Sequence, residues 1–280
     1  MIMNGVCHGL GNKGFVVIYV LWVSAAVTAM ALFLSRDTRR IVRTEASMES
    51  RRLLQTEVIS LRDIFAHTIR NRGFATPYRN LLGNCTVEVA DANYFLDLNR
   101  AGFEEIKRLC ISLDIDGYKA EIIADSLWDW MDSDDLSRLK GAESDYYESL
   151  YPPYECKNAP IEGYEELRLI RGIDERVYQK IKPHISFAGT GINFQHASAE
   201  VIYAIIGDRA ISERLVEHRK EHELDDEALR MLLGRHLYDT LLTRYTLSGS
   251  GHYRLTVTGN AGEVEEKTVD WISRVAGRTG

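Results

Sequence analysis

A run of uncharged, mostly apolar residues near the start of the chain constrains its fold more than any other stretch. It covers residues 15–34 and contains neither a charged residue nor a proline. A helix rises about 1.5 Å per residue, so this run forms a helix of about 30 Å, the thickness of a bilayer's hydrocarbon core. Because lipid offers no hydrogen-bond partners, a helix that pairs its own backbone can span it. We therefore predict a transmembrane helix; the alternative is a buried core helix.

The helical pattern continues beyond the apolar run. One apolar face of an amphipathic helix is indicated by four residues at helical spacing, Leu54, Val58, Leu61 and Phe65. No proline or glycine interrupts the sequence from residue 15 until Gly73, the first residue that favours a helix end. One helix is therefore expected, with a transmembrane part at residues 15–34 and an amphipathic continuation at residues 35–72.

Composition indicates a globular part beyond this helix. The 280 residues are 45% hydrophobic and 27% charged, which is enough for one large or two small domains with proper cores. The formal net charge of −7 disfavours nucleic acid, whose phosphates need lysine and arginine. Cys85, Cys110 and Cys156 follow the apolar run. They allow one disulfide in any of three pairings, or three buried thiols, and the sequence does not choose between these alternatives.

The pattern after the long helix predicts an α+β fold. Residues 72–83 have the glycines and proline of a connection, and strands are expected at residues 85–89 and 94–98. From residue 103 to about residue 247 the pattern is mostly helical, and strands return at residues 253–258 and 264–273 with a turn at residues 259–262. Strands on both sides of a helical block suggest one α+β domain with a helical insertion. Its small sheet would pack on the apolar face of the long helix.

An acidic loop is the strongest candidate for chemistry. Residues 129–148 contain seven acids against Arg138 and Lys140. Such oxygen-rich loops suit Ca²⁺, which takes 6–8 oxygen ligands in irregular geometry. The loop is not an EF-hand, because the sixth position counted from Asp132 is Ser137 rather than glycine. A solvated acidic loop is the alternative.

The start of the chain resembles a known family of secretion proteins. Lys13 and Gly14 directly before an apolar helix that begins at Phe15 resemble the signal of type IV pilins and type II secretion pseudopilins. This resemblance implies that a prepilin peptidase cleaves between Gly14 and Phe15 and methylates the new N-terminus. Most members carry glutamate at the fifth mature position, where this chain has Tyr19. That departure resembles the minor pseudopilin K family, whose members have no subunit above them at the filament tip.

The resemblance implies a fold of class α+β. It would consist of a long N-terminal transmembrane and amphipathic helix, a pilin-like small β-sheet and a large inserted all-helical domain. The expected divisions are a prepilin leader at residues 1–14, the two helix parts named above, a pilin-like α/β domain at residues 73–101 and 248–280, and the inserted helical domain at residues 102–247.

The same resemblance extends to the acidic loop. Residues 126–130, the acids that follow and Tyr146 are similar to the calcium-binding segment of the K pseudopilins. It implies a structural Ca²⁺ ion that neutralises the loop and runs no reaction. The expected ligands are some of Asp132, Asp134, Asp135, Glu143 and Asp145.

Function follows from the resemblance as an expectation. The chain would be a minor pseudopilin, not an enzyme, that caps the pseudopilus tip with I- and J-type minor pseudopilins and promotes assembly for protein export. Further expected partners are other pseudopilins, the prepilin peptidase and inner-membrane lipid, with the globular part in the periplasm. Positive charges argue for the opposite orientation, because one lysine precedes the span and four arginines follow it: Arg36, Arg39, Arg40 and Arg43. We follow the resemblance.

Two other functions are open. Residues 165–173 and 192–202 resemble helix-hairpin-helix units, and a membrane-anchored DNA-uptake receptor would pair such units with one anchor helix. Each hairpin carries an aspartate, Asp174 or Asp208, where close approach of phosphate is wanted, so no nucleic acid is expected. An adaptor for secreted substrates at the same tip is the third hypothesis.

Enzyme functions find little support in the sequence. It has no glycine-rich phosphate loop, no Gly-x-Ser-x-Gly and no His-Glu-x-x-His. His218 and His222 stand four residues apart on an expected helix and suit chelation of a metal, but no third ligand is evident.

Overall fold

A computed structural model describes residues 11–261 and 264–274 of the chain. Helix α1 (Gly11–Arg72) is one continuous helix, so the apolar and amphipathic parts join as the sequence predicts. It ends at Gly73, whose φ of 72° is left-handed and whose N–H donates to the Ile69 carbonyl at 2.9 Å. The predicted cleavage site at Gly14 and Phe15 lies within α1. Residues 1–10 of the predicted leader lie outside the described residues.

Four strands form an antiparallel sheet in the order β1–β2–β5–β6. Two further strands, β3 and β4, form a separate parallel pair. The bounds are β1 Tyr78–Leu82, β2 Cys85–Asp91, β3 Leu96–Asp97, β4 Ile185–Ser186, β5 His252–Ala261 and β6 Val264–Ser273. Residues of β2 alternate between fully and partly buried, because one face of the sheet covers α1 and the other is only partly covered.

The sheet packs on the second half of α1. Leu54 and Val58 are each 2% exposed, and Leu61 and Phe65 pack against them, as their spacing predicts. Opposite them on β5, a Cβ at Gly259 would stand 2.8 Å from both the Leu54 and the Val58 side chains. Glycine is therefore required there for the helix to lie this close to the sheet.

A mostly helical segment separates β2 from β5 and has its own hydrophobic core. Asp116 caps the start of α3 (Gly117–Met131) by accepting hydrogen bonds from the N–H groups of Tyr118 and Lys119. The helices are α2 Phe103–Ser112, α3 Gly117–Met131, α4 Ser144–Glu148, α5 Glu175–Ile181, α6 Ala199–Ile206, α7 Arg209–His218, α8 Asp226–Leu233 and α9 Arg235–Leu241.

Three local expectations differ from the structure. The connection predicted at residues 72–83 contains β1, a mostly exposed edge strand without the alternation that identifies strands. The strand predicted at residues 94–98 is reduced to β3, which pairs with β4 instead of joining the main sheet. Residues 259–261 of the predicted turn belong to β5, which continues to Ala261. All three cysteines among the described residues are free and buried.

Candidate functional site

The acidic loop connects α3 to α4, and two aspartates of α3 hold its backbone. Asp125 accepts hydrogen bonds from the Arg138 guanidinium at 3.0 Å and from the Lys140 N–H at 3.1 Å. Asp129, which is fully buried, accepts from the Arg138 N–H at 3.1 and 3.2 Å. A Cβ at Gly141 would lie 1.8 Å from the Asp129 carboxylate and collide with it. Glycine is therefore required at this position for the loop to pass so close to Asp129.

Several oxygens in or beside the loop are buried without a hydrogen-bond partner among the described residues. They are Oδ1 of Asp132, both carboxylate oxygens of Glu143 and the amide oxygen of Asn158. Glu143 is only 2% exposed. Native structures pair nearly all their buried polar atoms, so unpaired acceptors on neighbouring side chains are the kind of environment that suits a cation.

The carboxylates of this loop raise the pKa values of one another. Burial, together with the charges of Asp129 and Asp132, raises the pKa of Glu143 to about 7. Burial, followed by the charges of Asp132 and Asp125, raises the pKa of Asp129 to about 6. Burial and the charge of Asp134 raise the pKa of Asp132. Repulsion and burial make the ionised form of this cluster unfavourable, so the charge of a bound divalent cation would stabilise it strongly.

The five predicted ligands do not occupy equivalent places. Asp132 and Glu143 belong to the group of unpaired buried oxygens. Asp135 is exposed, although its charge raises the pKa of Glu143. Asp134 is exposed and accepts from the Leu136 N–H, while Asp145 is exposed and accepts from the Tyr146 N–H.

Two residues of the site were not among the predicted ligands. Asp129 lies inside α3, one turn before Asp132, and a carboxylate three residues before a predicted ligand on a helix is a usable signal. Asn158 is brought to the loop by the fold, and its amide nitrogen lies 3.5 Å from Asp135.

An all-oxygen donor set of carboxylates and one amide fits Ca²⁺ better than zinc or copper. Within the described part of the chain, no three His, Cys, Asp or Glu side chains already stand close enough to coordinate an ion. An ion would therefore have to draw these side chains together. His218 and His222 stack with their ring centroids 4.9 Å apart, but they have no third partner of this kind in the described residues.

The helix-hairpin-helix segments use their aspartates as helix caps. Asp174 accepts from the Val177 N–H at 2.9 Å and from the Lys119 ammonium at 2.5 Å, which lowers its pKa. Asp208 accepts from the Ile211 N–H at 3.0 Å and caps α7 in the same way. Because carboxylates already occupy the amides that would contact phosphate, this arrangement does not favour nucleic acid.

One segment of α1 is long and apolar enough to cross a membrane. Among the described residues it spans Ile18–Ser35, with a mean hydropathy of 2.0 and no buried residue. Trp22 is 74% exposed and Phe33 is 66% exposed. Such an apolar surface is expected of a helix that faces lipid.

These features define the class of the protein. A single apolar helix continues into an amphipathic half that packs on a four-stranded antiparallel sheet, which is a pilin-like α+β architecture. Its distinguishing part is the helical segment between β2 and β5, which contains the acidic loop.

A comparison with known protein families relates part of this chain to one secretion-system family. Residues 80–189 match the family described as protein K of the type II secretion system. The chain is 32% identical over 107 residues to type II secretion system protein K of Aeromonas hydrophila, covering 37% of this chain and 32% of the relative. It is 38% identical over 77 residues to a putative protein K of Escherichia coli K12, covering 28% and 24%. Each match therefore spans a third or less of the relative's length.

A solved structure extends the likeness to most of the fold. One chain of the GspK-GspI-GspJ complex from the enterotoxigenic Escherichia coli type 2 secretion system superposes with a TM-score of 0.59 at 21% identity. The superposition covers 84% of this chain and 94% of the other. The resemblance to protein K predicted from the sequence is thereby confirmed, and the matched family is a secretion-system component.

Proposed function

We propose that the chain is a minor pseudopilin of a type II secretion pathway that caps the pseudopilus tip and promotes assembly. The observation that carries this proposal is the block of helices α2–α9 between neighbouring strands β2 and β5 of a pilin-like unit. A block of this size leaves little room for another subunit to pack above it. I- and J-type minor pseudopilins are the proposed partners, because the structurally similar chain was solved in a complex with GspI and GspJ.

Helix α1 serves both as a membrane anchor and as a filament element in this proposal. Before assembly its exposed apolar segment Ile18–Ser35 lies in the inner membrane, with the globular part in the periplasm. During assembly the same surface packs among the helices of other subunits. Burial of apolar side chains is favourable in both places, so the transfer from lipid to filament needs no refolding of α1.

Processing by a prepilin peptidase would expose the new N-terminus at Phe15. Cleavage after Gly14 removes one lysine and leaves an apolar helix at the start of the chain. Mass spectrometry of the membrane form, coexpressed with the peptidase, should find a methylated Phe15 as its first residue. A first residue of Met1, or one beyond the apolar run, would contradict this part of the proposal.

The acidic loop would hold a structural Ca²⁺ ion. Asp129, Asp132, Glu143 and the amide oxygen of Asn158 are the residues that we expect to bind it, with Asp134, Asp135 and Asp145 nearby in the sequence. The ion would neutralise the cluster and fix the loop against α3. It would supply no chemistry, in keeping with a structural component.

Copurification tests the tip assignment. Coexpression of the tagged full chain with I- and J-type minor pseudopilins should give a complex containing all three proteins. A tagged major pseudopilin in place of the chain is the control, and it should not retain the I- and J-type proteins together. If the chain is recovered without either of them, the tip assignment is wrong.

A further inference from the structure

A cavity of about 470 Å³ lies where the sheet meets the helical segment, and its lining includes no residue of the acidic loop. Its floor consists of three residues that face each other across the sheet, Glu88 on β2, Thr256 on β5 and Val269 on β6. Its wall comes from the α5 region and contains Tyr164, Gln179, Lys182 and Pro183. This volume is within the range of sites that hold a ligand rather than a few waters.

The cavity concentrates positive charge in an acidic protein. Lys182, Arg254 and Lys267 line it, and none of them has a carboxylate within ion-pair distance among the described residues. The one acid in the lining, Glu88, is paired with Arg79 at 3.0 Å. In a chain with a net charge of −7, three unpaired cations around one concavity indicate an anionic ligand.

Aromatic rings hold two of these cations in place. The Arg254 guanidinium lies 3.7 Å from the centroid of the Phe95 ring and donates to the Pro183 carbonyl at 3.0 Å. The Lys182 ammonium lies 5.0 Å from the Tyr164 ring and 5.1 Å from the Tyr178 ring. A ring face attracts a cation without neutralising it, so these charges are positioned but remain available.

The distance of the cavity from the membrane-spanning part of α1 favours a protein ligand and excludes a lipid headgroup. Glu266, the neighbour of Lys267, pairs with Arg51 at 2.7 Å. From the end of the apolar span at Ser35, a helix needs about 24 Å to reach Arg51. The headgroup layer extends only about 5–8 Å beyond the hydrocarbon core. Lipid phosphates therefore lie out of reach of the three cations.

We propose that this cavity binds an acidic segment of a partner protein through at least two carboxylate side chains. Lys182, Arg254 and Lys267 supply the charge contacts, and Val269 supplies an apolar surface for the stems of glutamate side chains. The cavity is too large for a single carboxylate. This assignment rests on the cavity and on the membrane position of α1, and it is independent of the proposed role at a filament tip.

A labelled acidic peptide tests the proposal directly. The full chain in non-ionic detergent is titrated into fluorescein-labelled hexaglutamate at low ionic strength, and binding is followed by anisotropy. We expect saturable binding that salt weakens. The double variant K182Q/K267Q should bind about tenfold more weakly. The variant K220Q is the matched control, since Lys220 is exposed, does not line the cavity and pairs with Glu217.

Each remaining outcome is decisive. Equal melting temperatures of the two variants establish that lost binding is not lost folding. Absence of saturable binding to the wild-type chain, or equal affinity in K182Q/K267Q, would overturn the proposal. Competition by inorganic phosphate as effective as competition by unlabelled hexaglutamate would also overturn it, because the site would then select free anions rather than a protein segment.

Discussion

Glu143 shows at the level of one residue why we propose a cation in the acidic loop. It is 2% exposed, and apart from an interaction with the Cys156 thiol its carboxylate has no hydrogen-bond partner among the described residues. The charges of Asp129 and Asp132 act on it as well and add to the effect of burial on its pKa. Without an ion, this side chain destabilises the fold when it is ionised; with an ion, the same burial excludes competing water.

Replacement of the Glu143 carboxylate should therefore change the melting temperature in opposite directions without and with calcium. In a chelator, Glu143→Gln should melt higher than the wild-type chain, because a buried like charge is removed. With calcium present it should melt lower, because a ligand that fills its site a hundredfold above Kd stabilises by about 2.7 kcal/mol and the variant loses most of this gain. Differential scanning calorimetry of the full chain in detergent measures both effects.

Glu148→Gln is the matched control, because Glu148 is an exposed glutamate at the end of α4. It should respond to calcium like the wild-type chain. If Glu143→Gln retains the full calcium-dependent rise in melting temperature, Glu143 is not a ligand.

The density of acids in the sequence indicated the loop, and Asp132 and Glu143 remain predicted ligands, but Asp129 and Asn158 were not among the residues predicted. Asp129 was missed because it lies inside a helix, where a carboxylate is ordinarily read as part of the polar face. Asn158 comes from a segment beyond α4, and only the folded chain brings it to the loop. Spacing along the sequence identifies neighbours on one helix but not contacts made by folding.

At the level of elements, the sequence predicted long helices and alternating strands better than it predicted short or edge elements. The expected bounds of β6, residues 264–273, agree with the structure, and Ser198 caps the start of α6. β1 was missed because an exposed edge strand needs no alternation. The five-residue helix α4 is too short to show a period.

The contact between α1 and the sheet depends on the absence of a side chain at Gly259. Gly259→Ala should lower the free energy of unfolding of the sheet and the second half of α1 by about 1–3 kcal/mol, because its methyl group would overlap Leu54 and Val58. Hydrogen exchange at residues of β5, measured on the full chain, reports this loss locally.

Gly117→Ala is the control for the general effect of replacing glycine by alanine where no side chain is nearby. A Cβ at Gly117 meets no atom within 4 Å, and Gly117 is the first residue of α3, so alanine there should be neutral or slightly stabilising. Unchanged exchange in Gly259→Ala would mean that the helix shifts without cost, which contradicts the close packing of α1 on β5.

At the level of the whole molecule, the helical segment is inserted between two strands that are direct neighbours in the sheet. The two strands could therefore be joined by a short turn if the segment were removed. Asp91 at the end of β2 pairs directly with Tyr253 near the start of β5. The two strands thus already have the register of a hairpin, although the whole helical segment lies between them in sequence. Aromatic contacts such as Phe95 with Trp271 join the segment to the sheet.

Removal of the segment tests whether its bulk makes the protein a cap. Residues 92–252 are replaced with Asn-Gly, a two-residue turn that suits the pairing of Asp91 with Tyr253. The shortened chain should fold with lower stability, because Trp271 loses its cover, and calcium should no longer raise its melting temperature. In pseudopili reconstituted with the other subunits, immunogold labelling should find it along the filament, whereas the full chain labels only the tip. A shortened chain that folds and still labels only the tip would show that the surface of the pilin-like unit, and not steric exclusion by the helices, fixes its position.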